Sequence, residues 1–417
     1  MKPKIFCSAI VTILIMSSTV FAQMGWFSQT SPIITRLGAM HFVSDQTGWI
    51  VGNTGTIIRT TNGGINWISQ PSSIFGTFYS VFFINSNTGW AVNDSNRFLK
   101  TSNGGVNWAL QAHDTTDALL DVFFINDNTG WIIGKLGVNG RILYTSNCGS
   151  NWAVQQCPTV FSFYSVHFPV ASSGWIVGYN GLVLCTTNGG TNWTTQTSGS
   201  SNTLRSVFFI NSTTGWAVGN AGTILMTINA GVNWTSQLTG ESSTLYSVRF
   251  VNAQTGWAVG DGGKIYSTVN AGTNWSLQNG NTTNNLADVF FVNPSTGWCV
   301  GNVGTILKTT NGGVSAIRPI GSEVPVAYVL SQNYPNPFNP VTWIRFSIPK
   351  SSAMRDASVM LVIYDIVGNE VITLVNDKLS PGTYEVDWNA DRFASGVYFY
   401  SLRAGNYRET KKMILLR

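Results

Sequence analysis

The chain has 417 residues, is 43% hydrophobic and only 10% charged, and carries a formal net charge of +5. Between Gln23 and Ser322 there are 11 Lys/Arg against 9 Asp/Glu, so the basic excess is not gathered into a cationic footprint and nucleic-acid binding is excluded as a reading. A surface this poor in charge is built mostly from Ser, Thr, Asn and Gly.

Met1 to Ala22 opens with Lys2 and Lys4 ahead of an apolar run from about Ile5 to Met16 and ends Val-Phe-Ala, which predicts a Sec-type signal peptide over 1–22, cut before Gln23. No later stretch approaches the roughly 18 apolar residues of a membrane span, so an integral membrane protein is not expected. Cys7 leaves with the signal. Cys148, Cys157, Cys185 and Cys299 remain, with no C-x-x-C spacing and no repeat position in common; they read as buried single thiols, their disulfide status left open.

From Gly25 the chain is a tandem array. A Gly-Trp step recurs at Trp49, Trp90, Trp131, Trp175, Trp216, Trp257 and Trp298, with a spacing of 41 residues except for one interval of 44. A second tryptophan follows 18 residues later at Trp67, Trp108, Trp193, Trp234 and Trp275, and 21 later at Trp152. The seventh unit lacks it. Counting back 41 from Trp67 lands on Trp26, so the N-terminus supplies the missing outer strand and closes a ring.

A period near 40 with four short strand-like runs per unit is the signature of a propeller blade, because each sheet can bury its faces only against its neighbours. In the fifth unit the four strands, a to d, are expected at Val207–Asn211, Trp216–Gly219, Thr223–Thr227 and Trp234–Gln237. The predicted fold is all-β: a seven-bladed propeller over 23–318, closed by an N-terminal strand. Aligning the units on Gly-Trp gives a phenylalanine column seven residues earlier (Phe42 to Phe291) and an aliphatic one nine earlier (Met40 to Val289), both expected to pack between blades. The column between them is mixed: His41, Phe82, Phe123, His167, Phe208, Arg249 and Phe290.

The turn into strand d reads Thr-x-Asn-x-Gly-x-x-Trp, as at Thr186, Asn188, Gly190 and Trp193; Asn can bond its own turn and Gly can take positive φ. It resembles the Asp-box of bacterial neuraminidase repeats, with Asn in the Asp place, and that likeness implies a folding element remote from any chemistry. The whole unit, Val-Phe-Phe-Ile-Asn through Gly-Trp-Ala-Val-Gly to Thr-Asn-Gly-Gly-Val-Asn-Trp, is similar to the photosystem II stability/assembly factor propellers. That resemblance implies the fold and, in photosynthetic organisms, a role in assembling a membrane subunit.

Beyond Val314 the period stops. Residues 319–340 read as a Pro-rich linker and the start of a second domain, and 341–417 as an Ig-like antiparallel sandwich with strands near Trp343–Ile348, Val359–Asp365, Val371–Leu374, Thr383–Trp388, Val397–Ala404 and Tyr407–Leu416. This segment is similar to the type IX secretion C-terminal sorting domain. The likeness rests on Asn333-Tyr334-Pro335-Asn336-Pro337-Phe338-Asn339-Pro340, on Tyr364, Asp365 and Gly368, and on Gly396, Val397 and Tyr398. It implies export by the type IX machinery and release or attachment at the outer-membrane surface.

No H-E-x-x-H, P-loop or G-x-S-x-G motif is present, and no cofactor or metal set is expected. A glycosidase would need a carboxylate pair, for which Asp121 and Asp288, sharing one repeat column in blades 3 and 7, are the candidates. The loops that join strand d to the next strand a, and b to c, should share one face, holding Phe75, Phe78, Tyr79, Asp94, Arg97, His113, Asp114, Asp117, Arg141, Phe161, Tyr164, Tyr179, Arg205 and Lys264, most of them in blades 1 to 4. With His41, His167 and Arg249 as a polar channel mouth, this is the candidate binding face. The expected function is a non-enzymatic binding or scaffold protein with an extracellular protein or glycan ligand; the alternatives are a sialidase-like glycoside hydrolase and a membrane-protein assembly factor.

Overall fold

The computed structural model describes residues 25–416 apart from 73, 95–96, 112–117, 137–138, 238–239, 241, 314–317, 321–322, 351–356 and 391–392. The signal-peptide segment and the loop residues His113, Asp114 and Asp117 lie outside the described residues. Seven four-stranded antiparallel sheets follow one another along the chain to Thr309. Blade 5 is typical, with strands at Leu204–Phe209, Gly215–Gly219, Ile224–Thr227 and Thr235–Gln237. Strand a starts three residues earlier than its alternation predicts, because a bulge between Leu204 and Ser206 breaks the period while leaving Leu204 and Val207 both buried. The same register shift falls at the start of strand a in the other six blades. It also moves Phe78, expected in a loop, into strand a of blade 2, fully buried.

The Gly-Trp and Phe columns meet between blades. Trp216 stacks on Phe250 of the next blade at 3.5 Å between ring centroids, and the same contact recurs all round the ring, ending with Trp298 on Phe42 at 3.8 Å. Each such pair adds on the order of 1 kcal/mol beyond its buried area. The glycine before the tryptophan is required by the same phenylalanine column: a Cβ on Gly215 would lie 2.5 Å from the Phe209 ring.

Ring closure follows the predicted route. Phe27–Ser28 pairs with Leu307 and Lys308 as the fourth strand of blade 7. Trp26 packs edge-on against Phe291 at 5.7 Å, as Trp67 does against Phe42 at 6.0 Å. In each Thr-x-Asn turn the Asn carboxamide accepts the backbone N–H of the residue before the strand-d tryptophan, for example Asn192 to Asn188 at 2.9 Å. In blade 7 that donor is Gly25, to Asn311 at 3.1 Å, so the N-terminus replaces the missing turn as well as the missing strand. Threonine completes the turn: Gly190 N–H donates to Thr186 Oγ1 at 2.8 Å with Gly190 at φ +84°. All four remaining cysteines are free thiols, and Cys185 and Cys299 are buried.

The C-terminal region folds as two four-stranded antiparallel sheets around one core that includes Phe338, Ile344, Leu361, Trp388 and Tyr400. All six predicted strands are present. The second sheet also recruits Arg318–Pro319, which pairs with Tyr384 and Glu385, and Val329–Leu330, so much of the stretch read as linker belongs to this sandwich.

Candidate functional site: the axial channel

Strand a is the innermost strand of each blade and pairs on one side only, so half of its N–H groups face the axis without a strand partner. Buried N–H groups need acceptors, and here the preceding blade supplies them. Val207 N–H donates to Ser165 Oγ and Val248 N–H to Ser206 Oγ, both at 3.3 Å. The column that provides these acceptors is Ala39, Ser80, Asp121, Ser165, Ser206, Ser247 and Asp288. Asp121 accepts from Ser80 Oγ (2.7 Å), from its neighbour Val122 N–H (2.9 Å) and from Val166 N–H of the following blade (2.9 Å). Asp288 does the same with Ser247 (2.7 Å), Val289 (2.9 Å) and Met40 (2.8 Å). Each carboxylate thus ties three blades together. Burial pushes both carboxyls up to about 6 against the opposing pull of these hydrogen bonds.

Two residues further along strand a the mixed column closes into a ring. His41 touches Phe82 (4.5 Å between centroids), Phe82 touches Phe123 (5.2 Å), Phe123 touches His167 (4.9 Å) and His167 touches Phe208 (4.7 Å). The Arg249 guanidinium lies over Phe208 at 5.0 Å and over Phe290 at 4.3 Å, and Phe290 returns to His41 at 5.1 Å. His41, His167 and Arg249 were expected at a channel mouth; they sit instead below it, in a plug of seven side chains. Protein surrounds both imidazoles, and burial, then the Arg249 charge, holds them down to about 3. His167 Nδ1 accepts the Phe209 N–H at 3.3 Å, which fixes it as the unprotonated nitrogen. Burial lowers Arg249 to about 10, while Asp288 acts the other way.

Above the plug is a cavity of about 440 Å³. Its rim is the column Gly38, Tyr79, Leu120, Tyr164, Arg205, Tyr246 and Ala287, joined by Arg36 and Lys135. Arg205 stacks over Tyr164 at 4.8 Å and donates from Nε to Asn220 Oδ1 at 3.0 Å. Tyr246 donates to Asp261 at 2.9 Å, and the charges of Arg36 and Arg205 both reach its hydroxyl. Of the predicted face, Tyr79, Tyr164 and Arg205 border this cavity with His41, His167 and Arg249. Arg97, Arg141 and Tyr179 do not. Arg97 is exposed after strand b of blade 2, Arg141 lies within strand c of blade 3 and not in a loop, and Tyr179 opens a turn beside Phe161 at 6.0 Å. Arg36, Lys135 and Tyr246 were missed. Tyr246 shares the Tyr79 column and could have been found there; Arg36 precedes strand a, and Lys135 is the last residue but one of the lengthened strand b of blade 3.

The sorting-motif residues build the C-terminal sandwich. Phe338 is buried and exchanges backbone hydrogen bonds with Ile414 and Leu416, and Asn336 Oδ1 accepts the Ile414 N–H at 2.9 Å. Pro335, Pro337 and Asn339 are exposed, with Pro340 half-buried and its carbonyl accepting the Ala390 N–H. Asp365 accepts the N–H groups of Val367 and Asn369 across the turn at Gly368, φ +90°, beside Tyr364. Gly396 and Val397 open a strand, and Tyr398 donates to Ala394 O at 2.8 Å. Asn333, also buried, ties this motif to Thr342 at 2.8 Å and to Tyr400 at 2.8 Å.

Residues 19–113, 68–160 and 106–204 match the family model of the Photosynthesis system II assembly factor YCF48, and residues 332–416 match that of the Secretion system C-terminal sorting domain. The first match lies within the propeller, over its first half, and the second covers the C-terminal sandwich. A structure of YCF48 bound to D1 peptide superposes with a TM-score of 0.60 at 20% identity, covering 69% of this chain and 96% of that one. YCF48 from Cyanidioschyzon merolae gives 0.58 at 20% identity over 68% and 98%. The WD40 propeller of Doa1 gives 0.54 at 10% identity over 69% and 96%, a likeness of fold alone. No curated protein matches the chain. The sorting domain marks the protein for type IX secretion, to the cell surface or beyond. Among the described residues no helix is long and apolar enough to cross a membrane, and no cluster of three His, Cys, Asp or Glu could hold a metal.

Proposed function

We propose that this is an exported, non-catalytic binding module whose ligand seats on the channel mouth, and that the ligand is an extended protein segment bearing acidic side chains. The observation that carries this reading is the broken repeat at the rim. Cationic Arg36, Lys135 and Arg205 converge there with Tyr79, Tyr164 and Tyr246, where a purely structural column would repeat. Tyrosine and arginine are the side chains that anchor protein ligands most strongly. YCF48 has been captured with a peptide, which supports a peptide as the kind of ligand this fold accepts. The glycosidase reading requires two free carboxylates, whereas Asp121 and Asp288 spend their oxygens on serine and backbone donors. The assembly-factor reading requires a partner facing the periplasm, and a sorting domain carries the chain past it.

The test is fluorescence anisotropy with labelled Glu-rich and Lys-rich decapeptides at low and moderate salt. The Glu-rich peptide should bind in a salt-sensitive manner and weaken about tenfold or more in the double variant R36Q/R205Q. Equal binding by that variant, or no binding of either peptide, overturns the proposal. Hydrolysis of any substrate in a glycoside panel, abolished in D121N or D288N, would establish the enzyme in its place.

A further inference from the structure

Arg249 is a positive charge enclosed by protein that makes no hydrogen bond and no ion pair with any described residue. Its contacts are the faces of Phe208 and Phe290, which cover the guanidinium from two sides. A phenyl face attracts the charge but does not satisfy the five N–H groups of the fork, which remain available. The nearest opposite charge that acts on it is Asp288, whose two oxygens already hold Ser247, Val289 and Met40. The guanidinium is reachable: it borders the mouth cavity, and also a second cavity of about 410 Å³ on the opposite side of the plug, beside Phe42 and Asn293.

We infer that Arg249 is the core of an axial anion site that takes a small monocarboxylate, held edge-on by the guanidinium between the two phenyl rings. Planar carboxylate and planar guanidinium match through two parallel N–H···O bonds, and the phenyl walls suit the short apolar tail of such an ion. Among the ionised groups lining the mouth cavity, Arg36, Lys135, Arg205 and Arg249 oppose Asp121 and Asp288, four positive charges against two, so the approach is favourable for an anion. A dianion is disfavoured because Asp288 acts on the same guanidinium. His41 and His167, neutral in the plug, add no charge at neutral pH. The site lies below the rim, and it rests on the channel being open to solute, not on a peptide being the ligand of the mouth.

Acetate is the probe. Saturation-transfer NMR of its methyl signal is titrated at pH 7 and constant ionic strength, with chloride as the balancing anion, on the full chain. The wild type should show saturable binding. R249F should weaken it about tenfold or more, the loss expected for removing charge-assisted hydrogen bonds. Phenylalanine is chosen because it fills this column in four of the seven blades. If R249F fails to fold, R249K serves: it keeps the charge but not the fork, and should bind about tenfold more weakly. R36Q/R205Q should keep acetate affinity within about threefold while losing the Glu-rich peptide, which separates this site from the rim. Absence of saturable acetate binding in the wild type, or an affinity in R249F or R249K equal to the wild type, overturns the inference.

Discussion

Replacing His41 and His167 together by phenylalanine should remove a loss of stability in acid that the two histidines impose on the propeller. Both imidazoles are neutral in the fold and held down to about 3, against an ordinary value near 6.5 in the unfolded chain. A base whose folded value is depressed contributes stability that is complete above the unfolded value and is lost as pH falls towards the folded one. The window here is therefore about pH 6.5 down to 3. At pH 5 the unfolded state gains about 2 kcal/mol of proton binding per histidine, so about 4 kcal/mol for the pair. That figure hardly depends on the folded value, provided it lies below about 4. Asp121 and Asp288 work in the opposite sense, since their raised values near 6 favour the folded state as pH falls below 6, by about 1.4 kcal/mol each at pH 5. The wild type should thus lose only about 1 kcal/mol from these four groups between pH 8 and 5. The double variant keeps the aspartate term and drops the histidine term. Urea denaturation followed by tryptophan fluorescence at pH 8, 6 and 5 should show the stability difference, variant minus wild type, rising by about 4 kcal/mol. A difference that stays constant within about 1 kcal/mol across that range would refute the claim that the plug holds two neutral imidazoles.

Two further perturbations probe the ring. Trp26→Ala removes a tryptophan that is 2% exposed and donates to Gln278 at 2.8 Å, so blade 7 should lose about 3–5 kcal/mol, seen as a lower urea midpoint and as greater aggregation through the loosened outer edge. Gly215→Ala should cost about 1–3 kcal/mol in the same denaturation assay, because the new methyl meets the Phe209 ring, whereas Gly262→Ala, whose Cβ meets nothing within 4 Å, pays only for its positive φ of 65°.

The parts of this fold that repeat were legible. Spacing alone located the blades, assigned Trp26 to the far end of the ring, and named the Phe and Trp columns that stack between blades. What the sequence hid has physical causes. The bulge in strand a breaks the two-residue period, so the strand seemed shorter at its start and Phe78 fell outside it. The glutamine three places after each outer tryptophan, such as Gln237, which donates to Ala271 O at 3.1 Å and accepts from Trp275 at 3.2 Å, looks like any exposed strand residue until the neighbouring blade is in place. Asp121 and Asp288 stood out as the candidate carboxylate pair because a sequence does not show which oxygens are already committed. The rim was half visible: Tyr79, Tyr164 and Arg205 came from loop composition, but Lys135 extends a strand and Arg36 precedes one, so neither shares a repeat position with them.

The plug is ordered around the ring. Its polar members stand in blades 1, 4 and 6, so that each is flanked on both sides by phenylalanine and none touches another. This spacing follows from charge. Had a histidine stood beside Arg249, the guanidinium would have lost a phenyl face and met a group that turns cationic in acid. Flanked as it is, Arg249 keeps two favourable ring faces and the imidazoles stay neutral. The seven strands a need an axial filling, and seven phenylalanines would supply one; three exceptions placed without mutual contact keep the ring of side-chain contacts while putting on the axis a guanidinium that has no hydrogen bond to any described residue. The column flanked by two uniform core columns is therefore where the innermost strands admit polar side chains into the axis.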